Sequence, residues 1–66
     1  MTFKELITSK GYNAKSLAAK VVVHEHTISN YIHGKFDPSF AIAIDISNAL
    51  GVTLEELAES LGYRVK

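Results

Sequence analysis

Residues 13–35, NAKSLAAKVVVHEHTISNYIHGK, decide how the chain is read. They resolve into two short helical patterns joined by a tight turn. In the second, about Glu25 to His33, the apolar residues Ile28, Tyr31 and Ile32 fall on one side. Glu25, His26, Ser29, Asn30 and His33 fall on the other. His26, Asn30 and His33 stand at i, i+4 and i+7, so on a helix of 3.6 residues per turn they face one way. A helix anchored by one face that offers hydrogen-bonding side chains on the other has the form needed to lie in a DNA major groove. The rest of the chain then serves as the frame that presents it.

Outward from this stretch, each flanking segment carries its own start and stop signals. Thr2 and Glu5 form a capping box for helix 1, whose apolar stripe is Phe3, Leu6 and Ile7. Lys10 in its last turn complements the helix dipole, and Gly11 is the left-handed stop. Asn13 caps helix 2, with Leu17, Ala18 and Val21 inward, and the free amides near Ala14 and Lys15 suit a phosphate. Val21 ends helix 2, Val22 and Val23 make the turn, and His24 stands where helix 3 needs a cap. Gly34 ends helix 3. Helix 4 is expected from about Pro38 to Leu50, capped by Asp37 with Pro38 at the first helical position and Ser39 as the alternative cap. Phe40, Ala43, Ile44, Ser47 and Leu50 share one face of it, and Ile42, Ile46 and Ala49 form a second stripe. So wide an apolar arc suggests the central helix of the domain, or a second stripe that meets a partner. Gly51 ends helix 4. Thr53 and Glu56 box the start of helix 5, with Leu54, Leu57, Ala58 and Leu61 inward and Gly62 as its stop. The predicted architecture is all-α, a compact five-helix domain covering 1–66 with a helix-turn-helix at about 14–33.

Composition bounds the alternatives. Sixty-six residues without cysteine cannot use a disulfide or a cysteine-bound metal, so a core drawn from 47% hydrophobic residues has to suffice. No apolar run reaches the ~20 residues of a membrane span and no signal-peptide layout is present, which leads to the expectation of a soluble cytoplasmic protein. Net charge is zero but unevenly laid out. Residues 1–35 hold five lysines against two glutamates, and residues 36–66 hold two basic against five acidic side chains. A basic front and an acidic back orient a molecule on a polyanion.

These residues resemble the lambda-repressor-like (Cro-type, or xenobiotic-response-element-like) helix-turn-helix domains of phage and bacterial regulators. The resemblance runs without gaps from about Gly11 to Leu57. It is carried by Leu17-Ala18, Val23, Thr27-Ile28-Ser29, Gly34-Lys35, Asp37-Pro38-Ser39 and the run Ala49 to Leu57. Ala18 suits the close crossing of the two motif helices, and Ile28 and Tyr31 fill the positions that lock the second onto the first. Three departures stand out: Val22 where the family usually has glycine, Ala14 where it often has glutamine, and His24 where it has Ser or Thr. A β-branched residue is poorly suited to positive φ, so the turn either adjusts or stores about 1–3 kcal/mol of strain.

Carried over position by position, the resemblance implies base contacts from Glu25, His26 and Asn30, with Ser29 and His33 on the flank. It implies phosphate contacts from Asn13, Lys15, Thr27 and Lys35, with Phe36 packing on the DNA backbone. Chemically, Asn30 matches adenine N6/N7, Glu25 accepts from cytosine N4 and His26 donates to guanine. If the histidines face phosphate, protonating them adds positive charge there, and binding should tighten as pH falls. Two half-sites about one helical turn apart call for a homodimer, with Leu61, Tyr63 and Val65 as its surface and Ile42 as a further candidate. The expectation is a sequence-specific, repressor-like regulator of double-stranded DNA, either a whole Cro-like protein or the N-terminal domain of a longer repressor or antitoxin. The alternative is a protein-interaction module on the same fold with weak or no DNA binding, supported by zero net charge, Val22 and Ala14. No nucleophile–base pairing, carboxylate pair or phosphate loop suggests an enzyme. No cofactor is expected. His24 and His26 project to different sides of a helix, which argues against a metal site.

Overall fold

Each helix begins where a polar side chain can replace a missing backbone partner. The structure, a computed structural model, describes residues 2–62. Its elements are α1 (Phe3–Ser9), α2 (Ala14–Val21), α3 (Glu25–Ile32), α4 (Phe40–Leu50) and α5 (Leu54–Ser60), with no strand among the described residues. The five-helix, all-α architecture is the one the sequence predicts.

Thr2 and Glu5 close the expected box on α1, with Thr2 N–H donating to Glu5 Oε1 at 2.8 Å and Glu5 N–H to Thr2 Oγ1 at 3.1 Å. The Thr2 backbone donor first, and its side chain second, hold the Glu5 carboxyl below its usual range. The box therefore stands at neutral pH and weakens as pH falls through that depressed value. Thr53 and Glu56 repeat the arrangement on α5. Asn13 caps α2 with a box partner that the sequence reading did not single out, Ser16: Ser16 N–H donates to Asn13 Oδ1 at 2.8 Å and Asn13 N–H to Ser16 Oγ at 2.9 Å.

Helix α4 departs from expectation at its start. Asp37 is not its cap and Pro38 stays in the connector. Ser39, extended at φ −63 and ψ 163, is the cap, and its Oγ accepts the Ile42 N–H at 3.3 Å. Lys10 likewise lies one residue past α1 as its C-cap rather than within the last turn.

Packed pairs close a ring, α1–α3–α2–α4–α5 and back to α1. Each helix thus leans on two neighbours, and α4 is one member of the ring, against α2 and α5, rather than a central helix. Phe3, Leu6, Ile7, Leu17, Ala18, Ile28, Tyr31, Ile46, Leu50 and Leu57 form the buried cluster inside it. Burial also pushes the Tyr31 phenol up. The buried line of α4 is Ile46, Ser47 and Leu50, which combines parts of both predicted stripes, while Ile42, Ala43 and Ala49 pack beside it and Ile44 is half-buried. Ser47 is satisfied inside the core by donating its hydroxyl to the Ile44 carbonyl at 2.9 Å.

Two residues expected inside lie outside: Phe40 is 73% exposed and Leu54 41%. Each is the first residue of its helix.

Four helix ends share one closure, in which a left-handed residue stands one or two positions past the last helical residue and the next N–H reaches back five residues. Tyr12 bonds the Ile7 carbonyl, Val23 that of Ala18, Lys35 that of Asn30 and Val52 that of Ser47, at 2.9–3.0 Å. This is the Schellman pattern. Its left-handed position is glycine in three cases and Val22, at φ 58 and ψ 51, in the fourth. The turn does not adjust, so Val22 carries the strain. Its side chain is 88% exposed, so nothing is gained by packing it. Val22→Gly should therefore raise stability, by about 1 kcal/mol after glycine's extra chain entropy is offset against the strain. A urea-unfolding midpoint that fails to rise would show that the turn is not strained.

Candidate nucleic-acid interface

The geometry of the interface starts with α2 and α3. They form the most extensively packed pair in the ring. Ala18 is 2% exposed and Ile28 0%, so the small side chain on α2 and the branched one on α3 both sit wholly inside. Tyr31 is buried a turn further along α3, and Ile32 packs against the cluster beside it. This fixes the apolar side of α3 as read from the sequence and leaves its other side outward.

On that outward side Glu25, His26 and His33 are exposed, while Ser29 and Asn30 are half-buried nearer the ring. Glu25 and His26 form the first turn of the helix, Ser29 and Asn30 the second. His33 follows the last helical residue as the C-cap, at φ −86 and ψ 1, so α3 ends one residue earlier than predicted. His24 is the N-cap and accepts the His26 N–H on Nδ1 at 3.1 Å. Its ring meets that of His26 edge-on, with centroids 6.5 Å apart. Among the described residues no group of three or more His, Asp or Glu side chains could hold a metal ion.

The residues expected to meet phosphate lie at the start of α2, within α3 and just after it. Lys15 is exposed in the first turn of α2. Asn13 has its carboxamide oxygen committed to the Ser16 amide, so only its Nδ2 is left to offer an anion. With that amide taken, and Leu17 N–H bonded to the Asn13 carbonyl, the amides of Ala14 and Lys15 are the open donors at the end of α2. Thr27 is half-buried, and its own N–H goes to the His24 carbonyl at 2.9 Å.

Lys35 is tied to the face directly, since its N–H donates to the Asn30 carbonyl at 2.9 Å. Gly34 makes that bond possible with φ +72. A Cβ there would meet nothing within 4 Å, so backbone conformation alone requires the glycine. Phe36 follows and is largely exposed. Of the residues expected in the dimer surface, Leu61 is half-buried and packs on the core, as does Ile42. Tyr63 and Val65 lie outside the described residues.

Lys15 and Lys35 are exposed cations on α2 and just after α3, and the ionisable groups of the outward side of α3 are Glu25, His26 and His33. The face can accept and donate hydrogen bonds through short polar side chains. No helix among the described residues is long and apolar enough to cross a membrane. A family model described as helix-turn-helix matches residues 3–64. No curated protein and no solved structure matches the chain.

Ala18 is buried on α2, the helix packed most extensively against α3. Ala18→Leu should overfill that crossing and cost about 1–3 kcal/mol in urea unfolding. A cost near zero would mean that the crossing has slack and that Ala18 does not set the position of α3.

Proposed function

The chain belongs to the helix-turn-helix family of lambda-repressor and Cro type, a family of DNA-binding regulatory domains, and on that premise we propose how it reads DNA. Helix α3 enters the major groove. Asn30 pairs with adenine through N6 and N7, Glu25 accepts from cytosine N4, and His26 donates to guanine, with Ser29 and His33 at the flank. Lys15, Lys35, Thr27, the Asn13 carboxamide nitrogen and the open amides of Ala14 and Lys15 hold phosphates on either side.

The observation that carries this reading is the division of α3. Ile28 and Tyr31 are buried, while the opposite side is polar and open. The bond from Lys35 N–H to the Asn30 carbonyl supports it further, because it ties a phosphate-contacting residue in register with a base-reading one.

One copy offers little groove contact. The regulator acts as a homodimer on a pseudo-palindromic operator, with two α3 helices about 34 Å apart in successive turns of one DNA face. Leu61, with Tyr63 and Val65, provides the pairing surface. An apolar groove lined by Pro38, Phe40, Ala43, Leu54, Leu57 and Leu61 supports that choice. Occupying an operator in this way blocks other proteins from it, which is repressor-like action.

Selection of bound duplexes from a randomised pool tests the reading, with an enriched inverted repeat as the expected result. Lys15→Ala should then weaken binding to every duplex and reduce the salt slope by about 1. Asn30→Ala should cost about 1–3 kcal/mol at one base position and relax selectivity there. If neither substitution changes binding and no sequence is enriched, the fold serves as a protein-interaction module instead.

A further inference from the structure

The helices of this chain are capped by side-chain oxygens except for one. Thr2, Asn13, Ser39 and Thr53 supply oxygen acceptors to α1, α2, α4 and α5. Helix α3 is capped by an imidazole, with His24 Nδ1 accepting the His26 N–H at 3.1 Å. A ring nitrogen accepts only while its lone pair is free, which requires the neutral imidazole with its proton on Nε2. A proton on Nδ1 sets one donor against another. It also places positive charge at the positive end of the helix dipole.

We propose that His24 makes the N-terminus of α3 proton-sensitive: acidification releases the Nδ1 cap and loosens the first turn, Glu25 to Thr27. The device belongs to the fold and is independent of what α3 binds. Its sign is opposite to that of phosphate attraction, in which a protonated imidazole helps.

The charged groups around the cap come from three helices. On α3, Glu25 attracts a protonated His24 ring, protonated His26 repels it, and His33 lies at the far end of the helix. The two helices packed on α3 carry Lys15 and Lys20 on α2 and Lys4 and Glu5 on α1. Of the two on α2, Lys20 stands in the last turn, four residues before His24, and adds to the cost of a further cation there, whereas Lys15 lies in the first turn.

The test is thermal unfolding of the free chain, where phosphate plays no part, at pH 8 and pH 5.5. The chain is compared with His24→Asn, a cap that does not titrate, and His24→Ala, which has no cap. The unsubstituted chain should lose roughly 4–8 °C more in Tm on acidification than His24→Asn, the shift that matches loss of one N-cap in a domain of this size. His24→Ala should already be lower at pH 8 and lose no more than His24→Asn. Protection of the His26 amide, measured by hydrogen exchange and corrected for intrinsic rate, should fall in the unsubstituted chain alone. This readout remains usable if His24→Ala does not fold. Parallel losses in the unsubstituted chain and His24→Asn would overturn the proposal. A difference that disappears when both carry His26→Gln would also overturn it, because repulsion between the two rings would then explain the effect without the cap.

Discussion

The position of α3 depends on burying Ile28 in one cluster with Leu17 and Ala18. A chain of this length hides only about 60% of its unfolded surface, so it cannot spare interior positions. It spends them on a ring in which each helix leans on two others. Ala18 on α2 and Ile28 on α3 both lie inside the buried cluster. Because α1 also packs on α3, the helix is held from two sides while its polar side remains outward. Any binding by α3 is therefore set by an apolar fit on the side away from its ligand.

The turn between the two motif helices shows tertiary packing overriding local preference. After the four other helices the positive-φ residue is glycine. Here Val22 takes the same conformation with its side chain almost wholly in solvent. The Val23 N–H still reaches the Ala18 carbonyl at 2.9 Å, so the closure forms at the expense of backbone strain. Local rules that hold elsewhere in a fold tend to be broken near functional sites, where the global fit decides. The turn that sets the angle of α3 is such a place.

The ends of α3 carry more than shape. At its C-terminus, Gly34 and Lys35 close the helix and bring a cation into register with Asn30. At its N-terminus, a titratable ring serves as the cap where a hydroxyl would be indifferent to pH. The unequal division of charge along the chain gives it a basic first half without net charge. Such an asymmetry favours orientation on a polyanion.

Sequence alone determined the five helices, most of their caps, the buried sides of α1, α2 and α3, the left-handed turn positions and the polar side of α3. These properties depend on contacts within three or four residues, or on a periodicity that one helix displays by itself. Tertiary structure decided what depends on neighbours distant in the chain. The apolar arc of α4 is wide enough that periodicity could not say which line would face α2 and α5, and Phe40 and Leu54, the first residues of α4 and α5, are left exposed. The choice of Ser39 over Asp37 as cap was likewise open, since both are good cap residues and only the path of the connector into the ring separates them. The role of His24 was half legible: its position marked it as a cap, but only its ring orientation made Nδ1 the acceptor. Val22 was recognisable as a misfit, and the three-dimensional fit decided that the backbone would bear the strain instead of the turn changing shape.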